Sequence, residues 1–124
     1  MGKVLRFELQ VPDPELAVDF YSRTFGWRFV KMPGPLDYWL IRTGETGEEG
    51  IDGGLIRSPD GEPRTTNSIE VEDLDDHLAK VAEHGGTVLV PKTAVPGMGY
   101  FAYCSDDQGL VFIVSESDPN AETP

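Results

Sequence analysis

Residues Phe7 to Val30 and Asn67 to Val90 carry one pattern twice, sixty positions apart and without a gap, so the chain reads as a fused pair of similar modules. Val11 and Asp13 open a turn in the first as Val71 and Asp73 do in the second, and Gly26 closes the next segment as Gly86 does. In each, a strand-like alternation (Phe7, Leu9, Val11; Asn67, Ile69, Val71) runs into an aspartate whose carboxylate can accept from the orphan amides of a helical first turn. Pro14 suits the first helical position, where its missing N–H costs nothing. Val18, Tyr21 and Phe25 answer Leu78, Val81 and the Gly85 position, at the spacing that gathers side chains on one helical face.

Turn residues then divide each module into the order β-α-β-β-β. In the first, a helix from Pro14 to about Phe25 precedes strands at Trp27 to Met32, Asp37 to Arg42 and Ile51 to Arg57. In the second, a helix from Leu74 to about His84 precedes strands at Thr87 to Pro91, Tyr100 to Cys104 and Leu110 to Ser115. Gly44 to Gly50 reads as an acidic hairpin loop and Ser58 to Thr65 as the linker. The expectation is a single domain over residues 1–116, with modules at 3–58 and 65–116 and a flexible tail at 117–124.

A chain of 124 residues holds a core without metal or disulfide staples. The lone cysteine, Cys104, cannot bridge internally, and no run approaches the ~18 apolar residues that span a bilayer. The start lacks a signal-peptide core, so a cytoplasmic location is expected. A formal net charge of −12 argues against a nucleic-acid or anionic-membrane partner, which clustered Lys and Arg would be needed to hold.

The run Asp13-Pro-Glu-Leu-Ala-Val-Asp-Phe-Tyr-Ser-Arg-Thr-Phe-Gly-Trp resembles the first-helix signature of the glyoxalase, bleomycin-resistance and extradiol-dioxygenase superfamily, the vicinal oxygen chelate fold. Ile69-Glu-Val-Glu-Asp-Leu-Asp-Asp, His84-Gly-Gly-Thr-Val and Asp107-Gln-Gly resemble its second module, and Val95-Pro-Gly-Met-Gly-Tyr-Phe-Ala-Tyr a bacterial glyoxalase-like branch. The resemblance covers about residues 3 to 116. It implies an α+β fold in which two βαβββ modules form an open, U-shaped mixed sheet around a cavity, often completed by a homodimer. It also places the four ligand positions of metal-dependent members at Arg6, Gly54 (or Gly53), Thr66 and Ile113. A cation, a missing side chain, a hydroxyl and a hydrocarbon do not make a ligand set, so neither metal nor other cofactor is expected.

Strand alternation turns Phe7, Leu9 and Val11 to the helix and Arg6, Glu8 and Gln10 to the cavity. The same rule sends Ile69 and Val71 to the second helix and Thr66, Ser68 and Glu70 inward. Tyr38 and Trp39 correspond, at an offset near sixty-two, to Tyr100 and Phe101, so each module is expected to send one ring inward, where it can flank a planar ligand. Met98, between Gly97 and Gly99, lies on a turn that could serve as a lid over a ligand held between the first and fifth strands. The ligand-binding candidates are thus Arg6, Glu8, Gln10, Tyr38, Trp39, Ser68, Glu70, Met98 and Tyr100. The bland alternative makes Arg6 and Glu8 a structural ion pair and the rings ordinary core. His77 and His84 lie about 10 Å apart along a helix and read as surface or capping residues. Cys104 reads as a small buried hydrophobe.

Two function classes remain. One is a small-molecule binder of the drug-sequestering or carrier type. The other is a metal-independent lyase or isomerase in which Glu8 or Glu70 is the general base and Arg6 steadies an oxyanion. A metal-dependent glyoxalase or dioxygenase stands third.

Overall fold

The computed structural model describes residues 2–33 and 37–122. Among these are eight strands and two helices: β1 (Lys3–Val11), α1 (Pro14–Phe25), β2 (Arg28–Lys31), β3 (Tyr38–Arg42), β4 (Gly53–Arg57), β5 (Arg64–Glu70), α2 (Leu74–Glu83), β6 (Thr87–Val95), β7 (Gly99–Ser105) and β8 (Val111–Ser117). This is the α+β order expected, two βαβββ modules in sequence. The turn expected at Met32-Pro-Gly-Pro falls partly on residues 34–36, outside the described residues.

The described residues form two compact units, one within residues 6–66 and the other made of residues 2–5 with 67–122. In the first, the strands run in the order β2-β3-β4-β1, with β4 parallel to β1 (Glu8 opposite Gly54, Leu9 opposite Leu55) and antiparallel to β3. A parallel neighbour needs a crossover, which α1 supplies. Asp13 caps that helix by accepting from the Leu16 amide at 3.3 Å, and Gly26, at φ 74°, ends it in the left-handed conformation that glycine enters without steric cost. Trp39, Ile41 and Leu55 form the core, with Phe7, Leu9, Val11, Ala17 and Val18 packed on it, so the odd positions of β1 do face the helix.

The second unit repeats the plan in the order β5-β8-β7-β6, with β8 parallel to β5. Its helix has two caps. Asp73 accepts from the Asp76 amide at 3.0 Å, and Glu116 reaches from β8 to take the Leu74 amide at 2.9 Å. The core is Val71, Leu74, Ala102, Cys104 and Val114, with Ile69, Leu78 and Val81 against it. β6 runs four residues beyond its expected end at Pro91, because the proline, lacking an N–H, is absorbed at a register shift between Val90 and Thr93.

The tail differs from expectation. The Ala121 carbonyl accepts from Gly97 N at 3.0 Å, the Asp118 amide donates to the Met98 carbonyl at 2.9 Å, and Ala121 is only 2% exposed. Residues 117–121 lack periodicity because they strap a turn instead of entering a sheet.

Candidate functional site

In the unit of residues 6–66, Glu8 and Gln10 face away from α1 yet are only 4% and 5% exposed. Buried polar groups at such depth need partners, since an unmet donor or acceptor there costs about 1–3 kcal/mol. Thr66 Oγ1 and Gln10 Nε2 both donate to Glu8 Oε2 at 3.4 Å. Arg64 Nη1 donates to Gln10 Oε1 at 3.0 Å, and this fixes the amide with its NH2 toward Glu8. Arg64 is held in turn by Asp60, Nη2 to Oδ2 at 2.6 Å, while the Ser58 hydroxyl and the Glu62 amide also donate to that carboxylate. The Arg64 guanidinium, then the Glu62 amide and the Ser58 hydroxyl, hold the Asp60 carboxyl well below the usual carboxylate range.

Arg64 was not among the residues singled out from sequence. Its signal was there: it lies two and four residues before Thr66 and Ser68 in β5, on the face that alternation assigns to the polar row.

Tyr38 joins the row from β3. A methyl group added to Gly54 would overlap the Tyr38 hydroxyl and lie 2.6 Å from its Cζ, so the phenol fills the space a side chain at position 54 would take. Gly54 is the register partner of Glu8. Burial raises the Tyr38 pKa, the Glu8 charge raises it further, and the Arg6 charge opposes them. Arg6 is exposed, so a cation, a neutral phenol and a buried carboxyl share one face of this sheet.

Two expected ring placements are corrected. Trp39 points to the opposite face from Tyr38 and is core, 8% exposed beside Ile41 and Leu55. Tyr100 packs with Ala102 and Cys104 on the α2 side, under the Lys92 ammonium at 4.5 Å. The rings on the other face of β7 are Phe101 and Tyr103, edge to face at 5.6 Å. The cause is register. Leu40 lies opposite Gly54 and Tyr103 opposite Ile113, so Tyr38 matches Phe101 and not Tyr100, and a slip of one residue exchanged the faces.

The remaining candidates lie in the other unit. Ser68, 5% exposed, meets the Ser115 hydroxyl at 3.4 Å, and Glu70 accepts a short hydrogen bond from Ser117. Met98 is 45% exposed, on a turn to which the tail is hydrogen-bonded at Gly97 and at Met98 itself. His77, inside the first turn of α2, has Nδ1 2.9 Å from the Asp73 carbonyl, and His84 is the C-cap of that helix. Cys104 is fully buried, which pushes its thiol pKa up. A thiol reagent should therefore leave the native protein unlabelled and modify it once unfolded in urea; rapid labelling of folded protein would contradict this placement.

The positions that the family resemblance assigns to a metal do not fit one. The space at Gly54 is taken by a phenol, Thr66 is turned to Glu8, and Arg6 and Ile113 offer no donor. Among the described residues no three His, Cys, Asp or Glu side chains gather as a ligand set.

Over 122 residues the chain is 30% identical to CFP32 of Mycobacterium bovis and of Mycobacterium tuberculosis, proteins provisionally named glyoxylases; it covers 95% of itself and 45% of their length in that match. Among solved structures, methylmalonyl-CoA epimerase from Mycobacterium tuberculosis superimposes with a TM-score of 0.67 at 18% identity, over 95% of this chain and 89% of that one. A Streptomyces coelicolor methylmalonyl-CoA epimerase variant in complex with 2-nitronate-propionyl-CoA gives 0.71 at 15% identity over 99% of each chain. The Mn(II)-bound glyoxalase from Novosphingobium aromaticivorans gives 0.65 at 20%, over 99% of this chain and 42% of that one. At these identities the structural likeness is one of fold. The family model matches residues 3–114 and so takes in both modules: the chain belongs to the Glyoxalase/Bleomycin resistance protein/Dioxygenase superfamily.

Proposed function

We propose that the polar row of Arg6, Glu8, Gln10 and Tyr38 receives a small organic molecule, without the aid of a metal ion. The observation that carries this reading is the buried Glu8 beside a phenol and a cation on the sheet face turned away from α1. A core has no use for such a set, and a few convergent polar groups on a preformed surface are what ligand sites share. The matching ligand has a polar or anionic group for Arg6 and a planar apolar portion for the ring.

A homodimer is part of the proposal. The chain spans less than half of its CFP32 relatives, and α1 leaves Leu16, Phe20 and Phe25 more than half exposed. A second copy would cover such a face. No helix among the described residues is long and apolar enough to cross a membrane, and a single reduced thiol suits a cytoplasmic setting.

Native mass spectrometry of protein purified without added ligand tests these points together. The expected spectrum has two chains, a retained organic mass and no stoichiometric divalent metal. A bare monomer, or one zinc or iron per chain, would reject the reading.

The second reading is a lyase or isomerase in which Glu8 is the general base. It is favoured by the pairing of a carboxyl with a phenol kept neutral, one group to take a proton and one to offer a hydrogen bond. Glu70, the other candidate base, accepts from Ser117 and is not among the charges that act on the Tyr38 phenol.

A further inference from the structure

The geometry points to Tyr38 as the residue that selects the ligand: its phenol, seated over Gly54, donates a hydrogen bond to a carboxylate oxygen of the bound molecule, which Arg6 holds by charge. This rests on the reading that the face of Arg6 and Glu8 binds a small molecule, and it names the ligand's chemical class.

Three observations carry it. First, the phenol has been given its place by an absent side chain. Gly54 is buried, its φ is not in the left-handed range, and a Cβ there would overlap the Tyr38 hydroxyl, so the glycine serves the ring and not the backbone. Second, among the described residues no acceptor takes the Tyr38 hydroxyl hydrogen, yet every buried side-chain nitrogen or oxygen has a partner. The unpartnered hydroxyl oxygen is therefore not fully buried, which leaves its hydrogen open to a ligand on that face. Third, Tyr38 lies within the fields of both Arg6 and Glu8. Glu8 disfavours the phenolate, so the group offers a proton and does not present a charge. A donor beside an exposed guanidinium matches an oxygen that carries negative charge, and both groups can serve one carboxylate.

Trp39 cannot share the task, since it is buried on the opposite face of the same strand. The neighbouring Glu8 also sets a limit: a second carboxylate on the ligand would meet its charge, so the class is a monocarboxylate on a planar body.

The probes are benzoate, which has both features, and benzamide, which keeps the shape and loses the charge. Calorimetry on the native protein should give benzoate at least about tenfold tighter binding than benzamide. Tyr38→Phe, which removes one oxygen, should weaken benzoate by about 10- to 100-fold, the range for a hydrogen bond to a charged group, and should leave the melting temperature nearly unchanged. Absorbance at the tyrosinate band, assigned by difference from Tyr38→Phe, should show Tyr38 ionising at higher pH when benzoate is bound. A ring that merely packed against the ligand would not produce that coupling of ionisation to charge.

Gly54→Ala provides a second route that retains the hydroxyl. It should displace the phenol and weaken benzoate comparably, and the double substitution should lose little more than either single one. Equal affinity of native protein and Tyr38→Phe for benzoate overturns the proposal, as does benzamide binding as tightly as benzoate, or no benzoate binding at millimolar concentration. If the native protein retains an organic ligand through purification and Tyr38→Phe retains it equally, binding at this face stands and the role of Tyr38 falls.

Discussion

Leu55→Ala should lower the stability of the protein by about 2 to 5 kcal/mol, the span seen when a buried leucine is truncated and its surroundings only partly collapse. Leu55 is fully buried, with Leu9 opposite it on β1 and Trp39 opposite it on β3. Both neighbours are fixed by strand register, and Ala17 and Val18 pack on the same cluster from a helix capped at both ends. Little can move inward to fill the space. Against a total of about 5–15 kcal/mol for an ordinary domain, the loss is large enough to unfold a sizeable share of molecules. Urea unfolding should show a lower midpoint at unchanged slope. A cost below about 1 kcal/mol would mean that this cluster is not the core of its unit.

Glu8→Gln should separate the two functional readings. The amide has nearly the shape of the carboxyl, but it brings an NH2 where Thr66 and Gln10 both donate to one oxygen. The side chain can turn its remaining oxygen to those donors, so the fold should survive with a modest loss. If the protein only binds, affinity for the retained molecule should change several-fold. If Glu8 is the base, binding should persist while turnover falls by about two to four orders of magnitude. Glu70→Gln is the matched comparison, and turnover that fell with Glu70 and not with Glu8 would move the base to the other module.

Much of the fold was legible because duplication let each module check the other. The two aspartate caps, the helix starts and the strand alternation of β1 all agree with the sequence pattern. What failed was local geometry that pattern does not encode. Tyr100 and Phe101 are both aromatic, so nothing in their chemistry distinguishes the faces, and only the pairing of Tyr103 with Ile113 sets the register. Arg64 looked like linker because Pro63 and the turn before it hide where β5 begins. The tail carries no apolar period because its contacts with the turn at Met98 are made by backbone groups, which leave no trace in residue type. For the candidate site, alternation placed Arg6, Glu8 and Gln10 on one face, but it left open which of Tyr38 and Trp39 joins them. The Gly54 vacancy that seats Tyr38 was not, since a glycine in a strand says only that something approaches.

Residues 2–5 belong to the same compact unit as residues 67–122, and the Gly2 amide donates to the Glu70 carbonyl at 2.8 Å. The beginning of β5, in turn, counts with residues 6–66. Each repeat therefore lends backbone to the unit named for the other, and cutting the gene at the linker would not release two self-sufficient halves. Two separately expressed modules would each have to supply those strand ends to the other in trans. Fusion turns that exchange into an event within one molecule, where the effective concentration of the missing strand is set by a short tether and no longer by how much protein the cell makes.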